Sequence, residues 1–124
     1  KLNEVVNCGG LAIKSPLIMQ IYADTTGRPM KISKSEQTPA LGAAIFGAVS
    51  AGKEACGFDN VLQAQEVMTG TSKTYKPNEQ NHLLYKKLYK IYKQLHDGFG
   101  TKDWNGNMYN IMKDMLDIRD QVRK

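Results

Sequence analysis

Two adjacent glycines, Gly9-Gly10, stand directly after a β-branched pair, Val5-Val6, and shortly before Ser15-Pro16. The run Asn3 to Cys8 reads as a short strand, bounded by Asn and by the glycines. Ser15 followed by Pro16 is a helix start, because serine accepts from early backbone N–H groups and proline fits the first helical position. Gly27 marks the end of that helix, with Leu17, Ile18, Ile21 and Tyr22 on one face at helical spacing. Strand, glycine turn and capped helix in this order bring bare backbone close to anything lying over the strand end. Glycine has no Cβ to hold a flat ring away and reaches turn conformations closed to other residues.

Beyond Gly27 the segment Arg28 to Ser33 alternates and reads as a second strand, with Pro29 near its start. Thr38-Pro39 repeats the cap-then-proline signal and opens a helix running to Ala51 and stopped by Gly52. That helix holds Gly42 and Gly47, each costing roughly 1 kcal/mol against alanine. Close backbone packing is the expected compensation.

From Asp59 the pattern turns helical. A short helix around Val61, Leu62 and Gln65 fades at Thr69-Gly70-Thr71, and Thr71 to Asn78 reads as a polar loop. A long helix follows Pro77 to about Asp97, with Leu84, Leu88, Ile91 and Leu95 as its apolar stripe and Gly98-Phe99-Gly100 as its end. A last helix, about Met108 to Val122, carries Ile111, Met112, Met115 and Leu116 with Met108 on one face. Two strands alone do not make a stable sheet, so the pattern calls for partner strands from elsewhere.

The series Gly9-Gly10, Lys14-Ser15-Pro16-Leu17, Gln20-Ile21-Tyr22-Ala23-Asp24, Gly27-Arg28-Pro29 and Ala40-Leu41-Gly42-Ala43-Ala44 resembles the C-terminal domain of the FGGY carbohydrate kinases. The tail from Gly98 through Trp104 to Asp114 is similar to that of the ribulokinase branch of the family. The resemblance runs from about Glu4 to Arg123 and implies the last part of a longer, two-domain, cytoplasmic enzyme whose N-terminal domain is not in this chain.

The implied fold class is α/β, the C-terminal part of an actin-like (ribonuclease H-like) kinase domain, with two strands plus about five helices, mostly helical. Residues 1–58 would hold the adenosine-binding turn and residues 59–124 a helical extension packing on the same domain. The implied reaction transfers a phosphoryl group from ATP, with Mg2+, to L-ribulose, giving L-ribulose 5-phosphate and ADP. Another FGGY pentulose kinase, or a non-enzymatic binding or structural helical module, is the alternative.

By the resemblance, Gly9 and Gly10 line the adenosine slot with backbone. The helix start at Ser15 offers free N–H groups to a ribose hydroxyl or phosphate oxygen, or Ser15 simply caps its own helix. Lys14 follows a longer Leu11-Ala12-Ile13 loop than several relatives carry, and is a further nucleotide contact to consider. Asp24, near a helix C-terminus where negative charge is unfavourable, reads as a structural residue compensated by a hydrogen bond. Glu36 reads as an organiser of the following helix start.

No residue reads as a catalytic base, which the resemblance places on an aspartate upstream, and there is no Walker-type phosphate loop. One wall of a cleft does not perform phosphoryl transfer, so the chain by itself is expected to be inactive.

Cys8 and Cys56 lack metal-ligand spacing and read as buried free thiols. His82 and His96 are too far apart to share a metal, and no metal site is assigned to side chains. No apolar run reaches the length of a membrane span.

Lys73, Lys76, Lys86, Lys87, Lys90 and Lys93 against Glu79 account for the whole net charge of +5. A basic stretch interleaved with Tyr85, Tyr89 and Tyr92 has the composition of a nucleic-acid surface. Their spacing instead suggests tyrosines packed at the edge of the apolar stripe and lysines on a solvated face, which argues against nucleic acid as a partner. Cut sheet edges leave a homo-oligomer open.

Overall fold

A computed structural model describes residues 2, 5–55 and 57–123. The chain divides into two compact units, Lys1–Pro77 and Asn78–Lys124. The first holds three strands, β1 (Val5–Asn7), β2 (Met30–Ser33) and β3 (Thr71–Tyr75), in the sheet order β1-β2-β3. Its helices are α1 (Gly10–Lys14), α2 (Pro16–Thr26), α3 (Thr38–Ala51) and α4 (Val61–Met68), with a 3-10 turn at Lys53–Ala55. The second unit holds α5 (Glu79–Gly100) and α6 (Ile111–Val122).

β1 and β2 run parallel, Val5 opposite Met30 and Asn7 opposite Ile32, with α1 and α2 as the connection. Asn7 reinforces the pair by donating from Nδ2 to the Lys31 carbonyl at 3.3 Å. β3 returns antiparallel on the other side of β2, pairing Tyr75 with Met30 and Lys73 with Ile32. The register shifts between Ile32 and Ser33, which skips Ser72, and the Ser72 hydroxyl donates to the Ile32 carbonyl at 3.4 Å. An unpaired extra residue of this kind is a bulge, common on edge strands.

The described sheet therefore has three strands where the sequence suggested two. The third comes from within the chain, out of the segment read as a polar loop. Only Tyr75 of β3 is buried. Its other side chains face solvent, so no hydrophobic alternation announced it. Likewise Leu11-Ala12-Ile13, read as a loop, winds into α1, where Ala12 is buried. The described α-helices number six rather than about five.

α2 is the element that makes the core. Met19 and Ala23 project from it onto Met30 and Ile32 of β2 and Tyr75 of β3, with Ala12 joining from α1. Val5 and Ile18 pack around this cluster. β2, the central strand, alternates buried Met30 and Ile32 with half-buried Lys31 and Ser33, as a strand with one covered face should.

α3 behaves differently from expectation. Gln37, not Thr38, occupies the N-cap, and no side chain caps the helix. Space is open around Gly42 and Gly47, where an added Cβ would meet nothing within 4 Å. The glycines are therefore not there for close packing, and Ile45 is the one buried residue of the helix.

In the second unit, Ile91 of α5 and Ile111 of α6 are buried, while Met112, Met115 and Leu116 stand exposed. The loop between the helices is anchored by Trp104. A side chain at Gly98 would come within 3.1 Å of its ring carbon Cζ3, and one at Gly106 within 2.7 Å of Cε2. The indole thus rests against two positions that only glycine leaves open.

Candidate functional site: the glycine turn at the end of the first strand

β1 ends at Asn7, and Cys8 leads into Gly9, the N-cap of α1. Gly9 has φ 86° and ψ 173°, a combination essentially restricted to glycine. Here the conformational demand is real: any L side chain at this position strains the backbone by about 1–3 kcal/mol. Gly10 opens α1, and an added Cβ at either glycine would meet nothing within 4 Å. Gly9 is half-buried and its carbonyl accepts from the Ile13 N–H at 3.3 Å, while Gly10 is exposed, with room for a side chain among the described residues.

Ser15 sits between α1 and α2. Its backbone N–H donates to the Leu11 carbonyl at 3.0 Å, and its hydroxyl accepts from the Ile18 N–H at 3.4 Å. That hydroxyl is occupied by capping α2, as its sequence position suggested. Pro16 follows in the first turn, and Gly27, left-handed at φ 66°, closes the helix through its N–H to the Ala23 carbonyl at 2.8 Å. Lys14 is exposed in the last turn of α1. Gly9, Gly10, Lys14 and Ser15 thus fall on one continuous stretch around α1, adjacent by chain rather than drawn together from distant elements.

α2 is fixed from its far end by Gln20 and Asp24. The Gln20 side-chain amide donates from Nε2 to Asp24 Oδ1 at 2.8 Å and to the Lys76 carbonyl at 2.8 Å. Asp24 is buried, and its polar partnership one turn back answers the burial of a carboxylate near a helix C-terminus. The expected compensation is therefore present, and Gln20 supplies part of it.

A cleft of about 440 Å3 opens beside the carboxyl ends of β1 and β2. Cys8 and Ser33 contribute from the strand ends, Thr38, Gly42 and Ile45 from α3, and Thr71 from β3. Open parallel sheets bind ligands at this end of their strands. Among the described residues no charged side chain lines the cleft, so it suits a neutral ring or sugar better than a phosphate. Gly9 and Gly10 are not in its lining; Cys8, one residue earlier, is. Cys8 is exposed, contrary to the buried thiol expected from its apolar neighbours, and Cys56 lies outside the described residues. The hydroxyls of Ser33, Thr38 and Thr71 were not singled out from the sequence, because only β3 brings the last of them to the strand end.

Among the described residues no three His, Cys, Asp or Glu side chains converge on one point. No helix among the described residues is long and apolar enough to cross a membrane.

The comparisons agree with one another. Residues 1–51 match the FGGY family of carbohydrate kinases, C-terminal domain. The chain is 41% identical over 124 residues to the ribulokinase of Shouchella clausii, covering 99% of this chain and 21% of that protein. It is 48% identical over 100 residues to the ribulokinase of Geobacillus thermodenitrificans, covering 80% of this chain and 18% of that one. The chain thus spans about a fifth of the length of the curated relatives it matches.

Among solved structures, a xylulose kinase from Lactobacillus acidophilus superposes with a TM-score of 0.66 at 21% identity, over 78% of this chain and 19% of that one. A gluconate kinase from the same organism gives 0.61 at 20% identity, over 73% and 17%. These likenesses establish the fold, an α/β arrangement of the actin-like kinase type, mostly helical. Residues 1–51 thus match the C-terminal domain of the FGGY family of carbohydrate kinases, and similarity to ribulokinases runs through nearly the whole chain.

Proposed function

We propose that this chain is the nucleotide-side portion of a cytoplasmic, ATP-dependent sugar kinase that converts L-ribulose to L-ribulose 5-phosphate. In that reaction a hydroxyl oxygen of the sugar bonds to the γ-phosphorus of ATP, the bond to the β,γ-bridging oxygen breaks, and ADP leaves. The hydroxyl proton passes to a base outside these residues, and the sugar site belongs to the N-terminal domain. Mg2+ would arrive on the phosphates of ATP.

The observation that carries this reading is the turn at Gly9-Gly10. Gly9 holds a conformation that only glycine takes without strain, and among the described residues nothing lies within 4 Å of a Cβ added at either position. Glycine at Gly10, where the described protein would leave room for a side chain, favours a ligand as the reason. Within residues 1–58 we assign Gly9 and Gly10 to the adenosine, in backbone contact. Lys14, exposed one helix turn on, is available to the phosphates. The Ser15 hydroxyl is engaged with Ile18, so its part is to hold the start of α2. The uncharged cleft beside Cys8 suits the neutral nucleoside better than the triphosphate.

The similarity to ribulokinases supports L-ribulose over other pentuloses. The test of the nucleotide assignment is Gly10→Val in the complete kinase. ATP affinity should fall at least about tenfold, a change of about 1.4 kcal/mol, with sugar affinity unchanged. Unchanged ATP affinity would remove the turn from the nucleotide site.

A further inference from the structure

The sequence suggested that the tyrosines of α5 pack at the edge of its apolar stripe. Tyr89 and Tyr92 are instead 64% and 62% exposed. Their rings stack on each other at a centroid distance of 6.2 Å, and Tyr92 continues to His96 at 6.2 Å. Aromatic surface of this size left in water calls for an account.

Beside Tyr89 lies a groove of about 470 Å3, within the range of small-ligand sites. It is lined by Tyr89, Lys90, Lys93, Gln94, Asp97 and Trp104. Two aromatic residues contribute to it, and Trp104 is held in place by the glycines at 98 and 106. The polar groups between them are rich in donors. Asp97 has both oxygens engaged, Oδ2 by Lys93 Nζ at 2.5 Å and Oδ1 against His96 Nδ1 at 3.1 Å. The side chains of Lys90 and Gln94 make no hydrogen bond or ion pair among the described residues. What the groove leaves unmet is therefore a negative group, with flat rings on hand for stacking.

We infer that this groove binds a small anion built on a flat ring, its ring against Tyr89 and Trp104 and its phosphate or carboxylate on Lys90. Lys90 also borders a second groove, toward Asp114 and Asp117 of α6, so its ammonium has carboxylates within its surroundings. This limits the affinity expected to about the millimolar range. The inference is independent of the nucleotide assignment, which concerns residues of the other compact unit.

Trp104 is the chain's one tryptophan and so reports on the groove by itself. The experiment is a fluorescence titration of the full chain, corrected for absorption, with uridine monophosphate, uridine, inorganic phosphate and nicotinate. A saturable change with the monophosphate or with nicotinate is expected, and which of the two binds tells whether phosphate or carboxylate is preferred. Uridine and phosphate alone should bind at least about tenfold more weakly. Tyr89→Ala and Lys90→Ala should each weaken binding by about tenfold, in line with the loss of one stacking platform or one charge-assisted bond. Both side chains are exposed, so helix content by circular dichroism should be unchanged.

Absence of saturation with either anion, uridine binding as well as its monophosphate, or phosphate alone binding equally well would overturn the inference. So would binding that survives in both variants. A signal lost on Gly10→Val but kept in Lys90→Ala would put the ligand at the glycine turn and not in this groove.

Discussion

Gln20 and Asp24 are joined one helical turn apart by a 2.8 Å hydrogen bond from the amide Nε2 to the carboxylate Oδ1, and the same Nε2 reaches the Lys76 carbonyl at 2.8 Å. A single side chain thus supports a buried acid and ties α2 to the backbone just past β3. Gln20→Leu would keep the bulk and take one hydrogen bond from each of the two acceptors. We expect a loss of about 1–3 kcal/mol in urea unfolding of the chain. A change below the error of the measurement would mean that the contact is incidental.

The glycine turn makes a two-sided prediction. Gly9→Ala should destabilise the chain by about 1–3 kcal/mol, because φ 86° with ψ 173° is closed to alanine. Gly10→Ala meets open space and starts a helix, so it should be neutral or stabilising by up to about 1 kcal/mol. Thermal or urea unfolding of the pair decides the matter. Equal losses at both positions would show that Gly10 has a structural role the open space does not reveal.

Met19 is 2% exposed and occupies the middle of the cluster between α2 and the sheet. Met19→Ala should cost about 2–5 kcal/mol through lost burial and the cavity left behind. Met112→Ala on α6, at 67% exposure, should stay within about 0.5 kcal/mol of the parent chain. Similar effects at the two sites would contradict the placement of the core.

Much of this was readable from the residues. Ser15, Pro16 and Gly27 bracket α2 because capping, fixed φ and left-handed termination are local effects that need no tertiary information. β3 was hidden for the opposite reason. Thr71-Ser72-Lys73-Thr74-Tyr75 has β-branched threonines but buries only its tyrosine, and an edge strand carrying lysine shows little hydrophobic alternation. The five residues of α1 have too few turns to display a period. Exposure of Cys8, Tyr89 and Tyr92 was misjudged because apolar or aromatic neighbours in sequence do not decide which face an element presents. The glycine turn itself stood out, but that a Cβ added at Gly9 or Gly10 would meet open space is visible only in three dimensions.

Asp97 on α5 titrates in a direction that can be checked. The hydrogen bonds from Lys93 and then His96 hold its carboxyl below the ordinary value of 3.8, and the hydrogen bond to Asp97 raises Lys93 above 10.5. A lowered carboxylate contributes stability above its unfolded value, and that contribution is lost as pH falls through the folded one. A raised lysine contributes below 10.5 and loses its contribution as pH rises through the folded value. An NMR titration of Asp97 should give a midpoint below 3.8, moving up in Lys93→Met. A midpoint at or above 3.8 in the unchanged chain would contradict the pairing.

The central claim is that these residues serve an ATP-dependent kinase of L-ribulose. Its most direct test is L-ribulose-dependent ADP formation by the complete protein carrying this chain, with L-xylulose and glycerol run beside it. The account predicts clear turnover with L-ribulose and little with the other two sugars. Preference for another sugar would contradict the substrate and keep the family, and no ADP formation with any sugar would contradict the kinase itself.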